Sequence, residues 1–261
     1  MSVVKKNYLF LILISFLIVS NSNAEKIEGR VGQWPPQYFL EDGQWRGSVV
    51  DAYRALEQES GVEIELVEIP WSRAIASIED RSLIMGLLTP TEERSKIMSF
   101  IGPHDLEEMR LIIHKDYADR SIENLDDLVG LIRESEKKIA YQQDTFYCPE
   151  FNERIQKDTL FKQHFESRSI LNTLALMTEA ERILGFFEDK NYWKYLKKSE
   201  SGNSSMVLHP FLISRTEVYF GVSQTIPSET LEKLKEANDR LISNGTYLRI
   251  REKWDAWLEE E

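Results

Sequence analysis

Apolar and acidic residues alternate along residues 62–69 (VEIELVEI), the period of a strand with one buried face. Residues 49–61 (VVDAYRALEQESG) carry helical spacing ahead of it and end on a glycine suited to a left-handed cap. Pro70-Trp71-Ser72 then opens a second helical stretch, with Trp71, Ala74 and Ile75 on one side. Residues 83–88 (LIMGLL) are wholly apolar and short, as in a parallel strand covered on both faces. Helix, strand, helix, strand in this order predicts right-handed βαβ units and a mostly parallel sheet.

The alternation continues. Strands are predicted at 111–114, 138–141, 182–187 and 218–222, and helices at 124–131, 149–156 and 170–177. Two closing helices complete the chain. Leu231, Leu234, Ala237 and Leu241 line one face of the first, and Asn244-Gly245 ends it. Tyr247, Ile250, Trp254 and Trp257 keep helical spacing in the second. With no repeat and no Gly/Ser/Pro-rich linker, the pattern predicts two α/β lobes without a flexible tether.

The first residues stand apart. Lys5 and Lys6 precede an apolar run over 8–19, and Ser22-Asn23-Ala24 supplies small residues before Glu25. The run falls short of the roughly 20 residues of a membrane span, so residues 1–24 read as a cleavable secretory leader, and the absence of a cysteine near the cut argues against a lipid anchor. Removing this segment, with its two lysines and no acid, takes the formal net charge from −12 to −14. So acidic a chain is a poor partner for nucleic acid or an anionic membrane. The single Cys148 forms no internal disulfide, and four scattered histidines give no metal-ligand spacing. No nucleophile elbow, dinucleotide fingerprint or phosphate loop is present, so neither a catalytic residue nor a cofactor is expected.

Three clusters carry candidate chemistry. Thr89-Pro-Thr-Glu-Glu-Arg94 follows the carboxyl end of the LIMGLL strand, where open α/β sheets bind ligands. Thr89 can cap a helix with Pro90 at its first position and Glu92 completing a capping box. Arg94 in that turn either forks onto a carboxylate or pairs at the surface with Glu92 or Glu93. Gly185-Phe-Phe-Glu-Asp189 runs a buried strand into acids, and Asp189 either receives an ammonium or simply starts a helix. Gln33-Trp-Pro-Pro-Gln-Tyr38 holds Trp34 and Tyr38 in a proline-stiffened loop, for stacking on a ligand or for packing. Trp71 reads first as core.

Taken in order, these pieces resemble the periplasmic solute-binding proteins of polar amino-acid ABC transporters. The likeness runs from Trp34-Pro-Pro-x-Tyr38 and Gly47-Ser-Val-Val-Asp51 through Pro70-Trp71-x-Arg73, Thr89-Pro-Thr-Glu-Glu-Arg94 and Phe100-x-x-Pro103. It continues with Ile122-x-x-Leu125-Asp-Asp-Leu128, Arg182 to Asp189, and Gly245-Thr-Tyr-x-x-Ile250-x-x-Lys253-Trp254. The resemblance implies the two-lobed type II periplasmic-binding fold, each lobe a mostly parallel sheet flanked by helices. One lobe would comprise 25–106 and 217–261, the other 107–216. It further implies a small polar solute, an amino acid or related zwitterion, held between the lobes of a monomer in the periplasm and handed to an inner-membrane ABC permease. Arg94, assisted by Thr89, would clamp its α-carboxylate and Asp189 its α-ammonium. Trp34, Tyr38, Trp71, Thr145 and Phe146 would complete the site.

The chain departs from the family pattern at three places. Glu79-Asp-Arg-Ser82 replaces the usual Gly-x-x-Asp, Leu184 stands where an aspartate is common, and Asp144 follows the second-lobe strand in place of glycine. Two rivals remain at this level: a cyclohexadienyl-dehydratase-like enzyme on the same scaffold, drawing on Glu188, Asp144 or His104, and an accessory or sensory binding module without its own permease.

Overall fold

The computed structural model describes residues 26–170, 172–199 and 205–260, so the leader expected over residues 1–24 lies outside the described residues. The chain runs β1 (Lys26–Val31), a hairpin of β2 (Phe39–Glu41) and β3 (Gln44–Arg46), α1 (Ser48–Ser60), β4 (Glu63–Glu68), α2 (Trp71–Ser77), β5 (Leu83–Leu88) and α3 (Glu92–Ser95). A long strand β6 (Met98–His114) leads to α4 (Leu125–Ser135), β7 (Ile139–Gln142), α5 (Pro149–Lys157), α6 (Thr159–Lys162), β8 (Phe165–Arg168), α7 (Asn172–Glu179), β9 (Gly185–Asp189) and α8 (Lys190–Ser199). A second long strand, β10 (Met206–Ser223), returns to α9 (Ser228–Ser243) and α10 (Thr246–Glu259).

The local signals act as physics requires. Gly61 caps α1 in the left-handed region, and the side chain of Asn124 accepts from the Asp126 and Asp127 amides at the start of α4. All six residues of LIMGLL are buried. The strand expected over 182–187 forms three residues later, as β9, and the helix expected from 170 begins at Asn172.

The strands follow one another in the order β4-β1-β5-β10-β6-β9-β7-β8. β1 pairs in parallel with β4 and β5, and β7 with β8 and β9, while β10 and β6 run antiparallel to each other and to their outer neighbours. One end of the β6–β10 pair therefore belongs to the β4-β1-β5 lobe and the other to the β9-β7-β8 lobe. Leu106 pairs with Glu217 and Glu107 with Thr216 along it. Only residues 111–114 and 218–222 of these strands are legible from patterning.

Each lobe has its own core. Ile27, Tyr53, Leu56, Ile84, Phe220 and Leu234 pack in the first; Leu111, Leu128, Ile139, Phe151 and Phe187 in the second. In the second, the Phe151 ring meets Phe161, Phe165 and Phe187 with centroids 5.1–5.9 Å apart, within the range of favourable edge-to-face contact.

The loop carrying Trp34 is tied to the first turn of α1: the amides of Ser48 and Val49 donate to the carbonyls of Pro36 and Gln37, both at 3.0 Å. Gly47 makes this approach possible. Its φ is +132°, and a Cβ there would lie 2.2 Å from the Gln37 carbonyl oxygen. Gly47→Ala is expected to cost at least about 1–3 kcal/mol of stability, read as a lowered urea midpoint; an unchanged midpoint would show that the loop yields freely.

Candidate functional site

A cavity of about 350 Å³ lies where the two lobes meet. Its first-lobe wall is built at strand ends, from Arg30 to Trp34 around the end of β1, Glu68 to Trp71 after β4, and Leu87, Thr89 and Arg94 after β5. Gln142, Thr145 and Phe146 after β7 and Ser169 and Ile170 after β8 face them, with Glu107 and Met109 of β6 between. These are carboxyl ends of parallel strands, the position where such sheets receive ligands.

Arg94 reaches this cavity, but not from the helix start the sequence suggested. The cap is Thr91, whose hydroxyl accepts from the Arg94 amide at 3.2 Å, and α3 is a single turn. The extended backbone of Thr91 places the cap two residues beyond Thr89. Thr89 instead stands on the cavity wall and offers its carbonyl to Arg94 Nη1 at 2.9 Å. Nη2 donates to the carbonyl of Asp144, across the cleft, at 2.8 Å. The alternative of a surface pair with Glu92 is not realised, because Glu92 meets Lys96 at 3.4 Å. Desolvation draws the Arg94 guanidinium down to about 10, with Glu107 and Asp144 opposing, so it stays charged at neutral pH.

The acids are arranged differently from the expectation. Asp189 is buried and does not line the main cavity. Its Oδ1 accepts from Gln37 Nε2 at 3.2 Å and the Asn191 amide at 2.9 Å, and its Oδ2 from the Glu108 amide at 3.2 Å. Glu107 stands between: it lines both the main cavity and the smaller one that Asp189 borders. Its carboxyl is buried and makes no hydrogen bond among the described residues. Glu188 accepts from Trp34 Nε1 at 3.0 Å and from the Asp189 amide at 2.9 Å through Oε1, while its Oε2 is buried without a partner. The Oε1 of Gln37 and Oδ1 of Asn191 are likewise buried acceptors without donors.

Burial and a surplus of acceptors favour protons on the acids, and outweigh the opposing charges of Arg94 on Glu107 and Lys190 on Asp189. Burial raises Glu188 to about 8 and Asp189 to about 6, and burial together with Asp189 and Glu188 holds Glu107 well above the ordinary carboxylate range. The Glu188–Trp34, Asp189–Gln37 and Asp144–Arg94 bonds all join one lobe to the other.

Tyr38 does not line the main cavity. It is fully buried and its hydroxyl accepts from Arg30 Nη1, while Arg30 Nε donates to the Ile69 carbonyl at 2.9 Å. The Arg30 guanidinium lies over the rings of Tyr38 and Trp71, 4.7 Å and 5.5 Å from their centroids. Trp71 is therefore both core and wall, while Trp34 lines the cavity and meets Tyr38 edge-on at 5.9 Å. Of the expected residues, Trp34, Trp71, Thr89, Arg94, Thr145 and Phe146 share the cavity wall; Tyr38 and Asp189 stand behind it.

Arg30 and Glu107 were not legible as site residues. Arg30 sits near the end of a six-residue strand too short to show a period, and Glu107 on the long crossing of β6, whose burial follows no simple alternation.

None of the acids and bases considered for catalysis lines the main cavity. Glu188 and Asp144 stand outside its wall, and His104 lies in the core, stacked on Phe220 at 4.0 Å with its Nε2 accepting from the Leu87 amide at 3.2 Å. Burial and the charge of Arg251 push His104 down to about 3, so it stays neutral. Leu87 has a φ of +61°, an uncommon conformation for a leucine, and His104 holds its amide.

A family model described as bacterial extracellular solute-binding proteins, family 3, matches residues 29–256. The arginine-binding extracellular protein ArtP of Bacillus subtilis (strain 168) is 23% identical over 246 residues, covering 90% of this chain and 89% of its own. An amino acid ABC transporter substrate-binding protein from Streptococcus pneumoniae, AbpA, solved with L-arginine, matches with a TM-score of 0.72 at 18% identity, over 92% of this chain and 98% of its own. An ancestral arginine-binding protein bound to glutamine matches at 0.70 and 20%, over 88% and 97%. The fold is that of the type II periplasmic binding proteins.

The buried acids make stability depend on pH. A carboxyl whose pKa rises on folding stabilises the folded chain below its unfolded value and withdraws that contribution as pH rises through the folded value. For Glu188 and Asp189 the window runs from the ordinary 4.5 and 3.8 up to about 8 and about 6. The unfolding free energy of the ligand-free protein is therefore expected to fall from about pH 5 to about pH 8.5, by up to about 1.4 kcal/mol per pH unit for each proton held, and its melting temperature to fall with it. Glu188→Gln should flatten the upper part of that slope; a melting temperature that rises over this range would contradict the assignment.

Proposed function

The chain belongs to the bacterial extracellular solute-binding proteins of family 3, and from that membership we propose that it captures an amino acid or a closely related zwitterion between its lobes. The observation that carries this reading is a pair of opposite groups on one cavity: Arg94 from the first lobe, and Glu107 where the β6 strand crosses to the second. Arg94 takes the α-carboxylate, with Thr89 beside it and Thr145 and Phe146 opposite. A planar fork and a carboxylate pair bidentately, and more strongly as water leaves. Glu107 takes the α-ammonium, the role the family resemblance implies for Asp189, which sits behind it. A cation at Glu107 favours the ionised carboxyl, so binding would release the proton that burial keeps there. Trp34 and Trp71 cover the ligand's apolar surface.

We take the lobes to divide at 106/107 and 216/217, a choice supported by the pairing of Leu106 with Glu217 and Glu107 with Thr216 on the crossing strands. Closure about those crossings is the state that a membrane partner, an inner-membrane ABC permease, would read. The basic and apolar leader of residues 1–24 fits export to the periplasm, and among the described residues no helix is long and apolar enough to cross a membrane.

Calorimetric titration with a panel of L-amino acids tests the reading. Arg94→Ala should abolish binding while leaving the melting temperature of the ligand-free protein nearly unchanged. Glu107→Gln should weaken every α-amino acid by about 1.5–3 kcal/mol, the worth of a charged hydrogen bond. Full affinity in either variant would sink the zwitterion clamp.

A further inference from the structure

The carboxylate and ammonium partners leave one charged group of the cavity wall unassigned. Arg30 is only 6% exposed and lines the cavity. Two of its three nitrogens are engaged, Nε with Ile69 and Nη1 with Tyr38, but Nη2 has no hydrogen-bond partner and no carboxylate pairs with the group among the described residues. Nη2 lies beneath Gly32, where a Cβ would come within 2.8 Å of it, and Gly32 itself is part of the wall. The neighbouring Trp71 indole nitrogen is also buried with no acceptor. Glu68, the acid nearest in sequence on this wall, is exposed and makes no ion pair with Arg30.

A buried guanidinium normally meets an anion, because withdrawing an unpaired charge from water is costly. Here the surroundings hold it rigidly by a carbonyl, a phenol and two ring faces, none of which neutralises it. Apart from Glu68, which is exposed to solvent, the charged groups that line the cavity are then two arginines and one buried acid. Their complement is a solute with two anionic groups and one cationic group.

We propose that Arg30 is the second anion-binding residue of this cleft and that the preferred solute is an acidic amino acid, its side-chain carboxylate set against Arg30 Nη2. This rests on the amino-acid reading of the same cavity. Gly32, lacking a Cβ, does not cover Nη2 with a side chain, and the planar fork selects a carboxylate over an amide, which would turn an N–H toward a cation.

Titration of the full mature protein with L-glutamate, L-aspartate, L-glutamine, L-asparagine, L-arginine and glutarate separates the outcomes. The acids should bind roughly 10- to 100-fold more tightly than their amides. Arg30→Gln should remove most of that preference while leaving amide binding within a few-fold. Arg30→Lys, which keeps the charge but loses the fork, should retain part of it; this variant serves if Arg30→Gln does not fold. Amides or L-arginine binding as tightly as the acids would overturn the proposal and leave the amino-acid reading intact. A response to glutarate alone, lost in Arg30→Gln, would support Arg30 as an anion site and overturn the amino-acid reading. Silence towards all six would overturn both.

Discussion

The antiparallel pairing of β6 with β10 is the constraint on which the remaining geometry depends. It begins with Met98 opposite Ser223 and ends with His114 opposite Met206, with register shifts on the way. One end is walled by β5 and the other by β9, so each lobe builds its core on the same two strands. Glu107 falls where the ladder passes from one lobe to the other, and it owes its burial to that position rather than to its own chemistry. Any relative movement of the lobes has to be absorbed in this ladder. The shifts between Leu208 and Ser214 and between Val218 and Phe220 mark where its regular pairing is already broken.

Around that crossing the chain places like groups together at a cost. Three buried acids share a region with unpaired acceptors, and two arginines reach the cavity from the same lobe. Such arrangements are unfavourable in isolation and become favourable only when protons or a charged partner complete them. The acids can be completed by protons. The arginines cannot, since a guanidinium does not give up its charge. This asymmetry is why the cation side of the cleft is the informative side about what it holds.

Much of this was legible along the chain. LIMGLL, the capped α1 and the two closing helices follow from apolar period and glycine placement alone. Arg94 stands out because a strand end, a Thr-Pro start and a fork-shaped cation coincide within a few residues. The local code accepts either threonine as the cap, and only the path of the backbone selects Thr91. The place of Asp189 at a strand end suggests a ligand contact, but that rule is blind to which way the side chain turns and to Gln37, remote in sequence. Glu107 and Arg30 needed long-range pairing that patterning does not carry: β6 shows no clean alternation, since its faces change neighbours midway.

One contact between the lobes stands apart from the cavity. Phe39 of β2 stacks on Trp257 of α10 at 5.7 Å and leans on Tyr195 of α8 at 6.2 Å; Tyr195 in turn stacks on Trp257 at 6.3 Å. None of the three lines the main cavity. Attraction there lowers the free energy of the joined lobes by the same amount whatever solute lies between them. Were the lobes to part and join as proposed, the apparent dissociation constant for every solute would be scaled by a single factor, the population of the joined form. Under the proposed capture between the lobes, this aromatic patch would set the concentration at which the protein responds and leave the ranking among solutes to the charged wall.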